Sequence, residues 1–262
     1  MADLRIFSYL PNPRVFKATI AARYAGSTVE VVGGKPIELI HWLWDYEARP
    51  LSTEDKNALS KFERIGQRGF VGQSLYKTNT FLQTNPFGDV PAAFGNNGAL
   101  GLFESNSIMR AAARLGPDGA MLYGDGDPLL ASRIDGFLDR TLIFATTTQR
   151  YLLALSGELS DRLHGETRIA FDSYLSGIEQ ALSVDAHIAG ADLSLADIAF
   201  ACELCLLSNE VPLRRKHTPA FDEVFSGIAE FPRAHGHLIR LLELEAFSKD
   251  LSYYREHVPE LA

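Results

Sequence analysis

The stretch FLQTNPFGDVPAAFGNNGALGLFESNSIMRAAARL, running from Phe81 to Leu115, decides the fold of this chain. Phe81 and Leu82, followed by Asn85, Pro86 and Gly88, read as the last turn of a short helix that leaves through Pro and Gly. Val90-Pro91-Ala92-Ala93-Phe94 is short and apolar, as a strand is, but Pro91 has no N–H for a sheet ladder. It therefore belongs at the first residue of a strand or on an edge, and its flanking backbone is open to another partner. Gly95-Asn96-Asn97-Gly98 is a turn of residues that tolerate positive φ, and Ala99 to Phe103 returns as the second strand of a hairpin. Glu104 or Ser105 then caps a helix with Ile108, Ala111, Ala112 and Leu115 at its apolar positions. The N–H groups and partial positive charge at such a helix start suit a carboxylate ligand.

Upstream, residues 4 to 10 (LRIFSYL) alternate as a strand, Pro11-Asn12-Pro13 forces a turn, and Val15 to Tyr24 has helical spacing that Gly26 ends. Val29 to Val32 is a second strand, closed by Gly33 and Gly34. The order is β-α-β, a gap, then α-β-β-α, which is thioredoxin-like. The gap, about residues 35–77, holds both tryptophans, Trp42 and Trp44, and a charged, helical-looking segment from Ser52 to Ile65. A loop of this length inside a domain is more often functional than idle. Its aromatic cluster either lids a cleft, docks a partner, or staples the insertion onto the domain.

Residues 116–128 (GPDGAMLYGDGDP) read as a linker between domains at 1–115 and 129–262. The second domain reads as all-helical. Leu129 to Leu155 and Glu158 to Leu182 are long amphipathic helices expected to pack antiparallel. Ser194 and Asp197 form a capping box opening an apolar helix. Further helices are expected over Phe221–Glu230 and Phe231–Phe247, and a tail from Ser252 that folds back over the cleft.

The chain has 262 residues, with 25 Lys and Arg against 33 Asp and Glu, a formal charge of −8. No basic run tracks a phosphate backbone, so nucleic acid is not expected as a ligand. No apolar run reaches membrane-spanning length and no leader pattern opens the chain, so the expected location is cytoplasmic, with no membrane partner. Cys202 and Cys205 lie in an apolar helical run and read as core thiols. Without a second Cys pair or a His cluster, no metal site is expected.

The order Asn85-Pro86, Gly88, Val90-Pro91, hairpin, Glu104-Ser105 and helix resembles the glutathione-binding half of the glutathione transferase superfamily. Taken with SYLPNPRVFKATIAARYAG, it looks most like the glutathione transferase-like module of the elongation factor 1 gamma subunit, and bacterial β-etherases belong to the same superfamily. The resemblance implies a two-domain fold, an α/β thioredoxin-like domain followed by an all-α domain, with glutathione as ligand and a crossing between the second strand and the following helix much shorter than the gap here. It also implies dimerisation, as a homodimer, and the long insertion adds the option of a heterodimer with a related subunit.

Glutathione needs donors for its carboxylates, a backbone ladder for its cysteinyl unit and a donor favouring thiolate. Val90, before a Pro91 bond predicted to be cis, offers its N–H and C=O like an added strand. Glu104 and Ser105 meet the γ-glutamyl end at the helix start. Lys77 and Asn79 are candidates for the glycyl carboxylate, although a solvated lysine is the plainer expectation. A free thiol ionises near about pH 8.5, so a donor after the first strand must favour the thiolate. Asn12 is the first choice, then Arg14, with Ser8 and Tyr9 behind them. No cysteine stands there, which points to attack by glutathione thiolate on an electrophile. Phe137, Phe144, Tyr151, Thr141, Thr146, Thr147 and Thr148 suggest an aromatic small-molecule substrate, with β-aryl ether cleavage as one reaction by analogy. The alternative is a non-catalytic assembly module.

Overall fold

Strand β1 (Leu4–Tyr9) alternates its side chains between two apolar clusters, and this places it at the centre of a sheet. The computed structural model describes residues 2–67, 69–217 and 221–260, divided into two units, Met1–Pro117 and Asp118–Ala262.

In the first unit β1 leads through helix α1 (Pro13–Ala25) to β2 (Val29–Gly34), and Gly26, with φ of 76°, ends the helix in the left-handed conformation open to glycine. Strands β1 and β2 are parallel, with Leu4 opposite Val29. After an insertion containing β3 (Trp42–Trp44), β4 (Arg49–Pro50), α2 (Thr53–Ala58), β5 (Glu63–Ile65) and β6 (Ser74–Lys77) come α3 (Asn79–Thr84), β7 (Ala92–Gly95), β8 (Leu100–Leu102) and α4 (Ser105–Leu115). The main sheet has the order β2-β1-β7-β8, with β7 antiparallel to both neighbours. Leu4 and Ile6 face Val15, Ala18, Ile108 and Ala112 of α1 and α4, while Phe7 faces the opposite side. This is the thioredoxin-like order expected from residues 81–115. At the turn both Asn96 and Asn97 have positive φ.

The insertion forms a second sheet, which the sequence did not suggest. Its strands β3 (Trp42–Trp44), β4 (Arg49–Pro50), β5 (Glu63–Ile65) and β6 (Ser74–Lys77) lie in the order β4-β3-β6-β5. The segment read as one helix from Ser52 to Ile65 is a short helix α2 (Thr53–Ala58), a 3-10 turn and β5. Trp44, 1% exposed, decides how the insertion is held. Its Nε1 donates to the Leu39 carbonyl at 3.0 Å, and its ring meets Phe7, Phe70 and Phe81 edge-on at 5.5, 5.5 and 5.9 Å. Phe7 belongs to the main sheet and Phe81 to α3, so Trp44 is a staple. Trp42 stacks on Phe7 from the half-buried side, at 6.1 Å.

The second unit is helical in its described residues: α5 (Pro128–Ala154), α6 (Asp161–Ala181), α7 (Leu195–Leu207), α8 (Glu210–His217), α9 (Pro232–Glu243) and α10 (Glu245–Arg255). Phe144 stacks on Tyr174 at 4.5 Å and Tyr151 lies beside His164, so α5 and α6 run antiparallel as expected. Asp197 accepts from the Ser194 N–H at 2.8 Å in the capping box of α7. Two helix expectations are corrected. Phe221–Glu230 shortens to a 3-10 turn at Phe225–Glu230, because the buried Glu210 carboxylate takes the Val224 and Phe225 N–H groups at 2.8 Å each. The span Phe231–Phe247 is broken at Leu244, whose ψ is 134°. The tail hydrogen-bonds to this unit through His257 to Ser208 and the Pro259 carbonyl to His235, and its last two residues lie outside the described ones.

Trp44→Ala is expected to cost about 3–5 kcal/mol in stability of the first unit, through lost contacts and a cavity between the two sheets. Urea unfolding followed by the fluorescence of Trp42, the tryptophan remaining in that variant, measures it. A loss below about 1 kcal/mol would mean the insertion is not anchored there.

Candidate functional site

One end of the main sheet gathers the segments singled out in the sequence. β1 ends at Tyr9, β7 starts at Ala92 opposite Phe7, and β8 ends at Leu102 opposite Ala93. Residues 8–14, 88–91 and 103–106 therefore leave the sheet at the same end.

The Val90–Pro91 bond is cis, as expected, and the Leu10–Pro11 bond is cis as well. Pro91 stands just before the first residue of β7. Among the described residues neither the N–H nor the C=O of Val90 has a hydrogen-bond partner. An extended segment could pair there, since such groups need partners once covered. The preceding loop is held from within: Asn85 Nδ2 donates to the Asp89 carbonyl at 2.7 Å. Gly88 has φ of 63°, and a Cβ there would come within 3.3 Å of Lys77 Nζ, so glycine is needed for both reasons.

Lys77 is not the solvated side chain the sequence suggested. It is buried, donates to the Gly88 carbonyl at 2.7 Å and lies over the Trp44 ring at 4.7 Å. Burial lowers its pKa, opposed by the Asp89 carboxylate. The lysine thus ties the insertion to the loop before Pro91. Asn79 accepts from Arg64 at 3.4 Å.

Helix α4 starts at Ser105, and Glu104 occupies the capping position without a side-chain capping bond. Glu104 thus holds one of the two capping positions expected from the sequence, and only the side-chain bond expected with it is corrected. Glu104 has φ of 65° and ψ of 121°, a conformation that costs a non-glycine residue roughly 1–3 kcal/mol and that clusters at functional sites. Behind it lies Lys17, missed by the sequence reading. Its Nζ, on a side chain 1% exposed, donates to Asn106 Oδ1 at 2.8 Å and Ser105 Oγ at 3.2 Å. A buried ammonium joins the helix start in favouring an anion there. The available signal was a lysine among the apolar positions Val15, Ala18, Ala21 and Ala22 of α1.

The thiol-activating candidates occupy the β1–α1 turn. Asn12 is fully buried; its Oδ1 accepts from the Arg14 N–H at 3.0 Å as the cap of α1, and its Nδ2 donates to Ser8 Oγ at 3.1 Å. Ser8 is equally buried, while Tyr9 and Arg14 are half-buried. In the second unit, Phe144, Tyr151, Thr141 and Thr148 are core residues rather than a ligand-facing surface. Tyr151 donates to Glu210 at 2.5 Å, and Thr141 pairs with Tyr174 at 2.9 Å. Phe137 and Thr147 are half-buried and Thr146 is exposed. Cys202 and Cys205 are buried, and burial pushes the Cys205 thiol up. Among the described residues His187, Asp197 and His237 offer three ligand atoms within 4.8 Å of one another, a cluster that the linear sequence concealed.

Solved structures share this architecture from end to end. A glutathione S-transferase-I bound with lactoylglutathione matches at a TM-score of 0.62 and 20% identity, over 96% of this chain and 99% of that one. A theta class glutathione S-transferase from Xanthomonas axonopodis pv. citri, with glutathione bound, matches at 0.58 and 19%, over 96% and 98%. This chain has the glutathione transferase fold. No family model matches the sequence. Among curated proteins, elongation factor 1-gamma from Artemia salina is 23% identical over 209 residues, 79% of this chain and 39% of its own length. The chain spans about two-fifths of the length of the curated relatives it matches. Among the described residues no helix is long and apolar enough to cross a membrane.

In this transferase fold the strained corner at Glu104 gives a direct test. Glu104→Gly is expected to leave stability unchanged or raise it by up to about 1 kcal/mol, since relief of strain outweighs the added chain entropy. Glu104→Ala keeps the strain and gains nothing. Chemical denaturation separates the two, and a loss above about 1 kcal/mol in Glu104→Gly would show the side chain to be holding the helix.

Proposed function

We propose that the chain is a glutathione transferase that uses glutathione thiolate as nucleophile on an aromatic small-molecule electrophile, with β-aryl ether cleavage as a candidate reaction. The observation that carries this reading is the unpaired Val90 backbone beside cis-Pro91, at the same sheet end as the Glu104–Ser105 helix start with Lys17 behind it. The cysteinyl unit pairs with Val90 as an added strand. The γ-glutamyl carboxylate meets Ser105 and the N–H groups of α4, and Glu104 meets the ammonium. Lys77 keeps ammonium protons beyond the one given to Gly88 for the glycyl carboxylate.

For the thiol, Asn12 acts through Ser8. The Asn12 amide donates to Ser8 Oγ, which polarises the Ser8 O–H for donation to sulfur. Arg14 adds positive charge nearby and Tyr9 is a further donor. The protein works as a homodimer or with a related subunit, in the cytoplasm.

A second reading, an assembly module like its elongation factor relatives, is favoured by one observation: both polar groups of the Asn12 side chain already have partners inside the protein. Retention on immobilised glutathione, a melting-temperature rise with millimolar glutathione, and turnover of an activated aryl halide separate the readings. Binding with turnover supports the transferase; binding without turnover supports the module; absence of binding removes both glutathione roles. In the transferase, Asn12→Ala lowers turnover about tenfold or more at unchanged retention, with a stability cost of about 1 kcal/mol from the lost cap. Unchanged turnover in that variant moves the thiol role to Arg14, or to Ser8 acting without Asn12.

A further inference from the structure

The loop before α7 and the middle of α9 aim two imidazoles at one carboxylate oxygen. Asp197 is fully buried, and its Oδ2 is engaged by the Ser194 N–H at 2.8 Å and hydroxyl at 3.0 Å. Its Oδ1 accepts from the Ile188 N–H at 3.0 Å and His237 Nε2 at 2.7 Å, and His187 Nδ1 stands 3.4 Å away. That His187 nitrogen is buried yet makes no hydrogen bond among the described residues, a condition that calls for an explanation. The helix capping role of Asp197 needs neither imidazole, because Ser194 and Ile188 complete it. Two ring nitrogens converging on an oxygen that is already engaged exceed what the cap requires.

We propose that His187 Nδ1, His237 Nε2 and Asp197 Oδ1 form a binding site for a divalent transition cation, with zinc the best match. Two imidazoles and one carboxylate suit zinc, and three protein ligands leave a further position for water. The His187 side chain is 26% exposed and gives the ion a way in, while the turn from His187 N–H to the Gly190 carbonyl at 3.0 Å fixes its backbone. Ser194 supplies the outer hydrogen bonds that orient the carboxylate. The exposed Arg240 is the competitor: its Nη2 lies 3.2 Å from His237 Nδ1. A neutral His237 that donates from Nε2 to Asp197 accepts from Arg240 at Nδ1. Coordination through Nε2 moves the proton to Nδ1, so Arg240 must swing into solvent.

Zinc chloride titrated calorimetrically into the 262-residue chain, after treatment with a chelator, tests the site. The expected result is one equivalent bound, a melting temperature raised by about 3 °C or more, and a cobalt(II) complex with visible absorption of low-symmetry coordination. His187→Ala, at a partly exposed position, should melt as the parent does without metal and bind zinc at least tenfold more weakly. Arg240→Gln should bind zinc several-fold more tightly, an effect that a purely structural histidine cluster has no means to produce. Equal zinc affinity in the parent and His187→Ala, or a melting temperature that zinc does not move, overturns the proposal.

Discussion

The ammonium of Lys77 joins three parts of the first unit. It sits at the end of β6, lies over the ring of Trp44 and donates to the Gly88 carbonyl in the loop before cis-Pro91. A buried cation with one hydrogen bond is costly unless its surroundings are fixed, and the aromatic cluster of Trp44, Phe7, Phe70 and Phe81 fixes them. The insertion is therefore part of the scaffold that shapes the candidate ligand corner. That answers, for Trp44, the choice between lid, docking surface and staple.

The corner itself shows a division of labour between backbone and side chains. Val90 contributes an N–H and C=O unpaired among the described residues, Glu104 contributes a strained conformation, and Lys17 contributes a charge that reaches the helix start from another element. The proposed binding rests on groups that geometry leaves open. The proposed thiol activation rests on Asn12 and Ser8, which are bonded to each other and closed to solvent. The two halves of the proposed function thus stand on different footing within one sheet end.

What the sequence disclosed follows from physics local to the chain. The missing N–H of Pro91 marks the start of β7, the positive-φ tolerance of Asn96 and Asn97 marks the hairpin, and the spacing of Ser194 and Asp197 marks the start of α7. What it concealed depends on three-dimensional partners. The second sheet has strands of two to four residues, too short to show alternation. Lys17 passes unnoticed and Lys77 reads as a solvated charge because their acceptors, Ser105 and Asn106 for the one and the Gly88 carbonyl for the other, are not their neighbours in sequence. Phe144 and Tyr151 read as a ligand face because helical spacing alone does not say which apolar stripe is covered. His187 and His237 meet only because α9 packs near the start of α7.

The two cysteines carry a consequence of their own. Exchange between protein thiols and oxidised glutathione proceeds through an accessible thiolate. The chain has only Cys202 and Cys205, both within α7 and both closed to solvent, and burial holds the Cys205 thiol in its protonated form at ordinary pH. The folded protein is accordingly redox-silent toward the tripeptide it is proposed to bind. It can sit in a pool of mixed oxidised and reduced glutathione without being covalently marked by either form, and sulfur chemistry at its ligand corner must come entirely from the ligand.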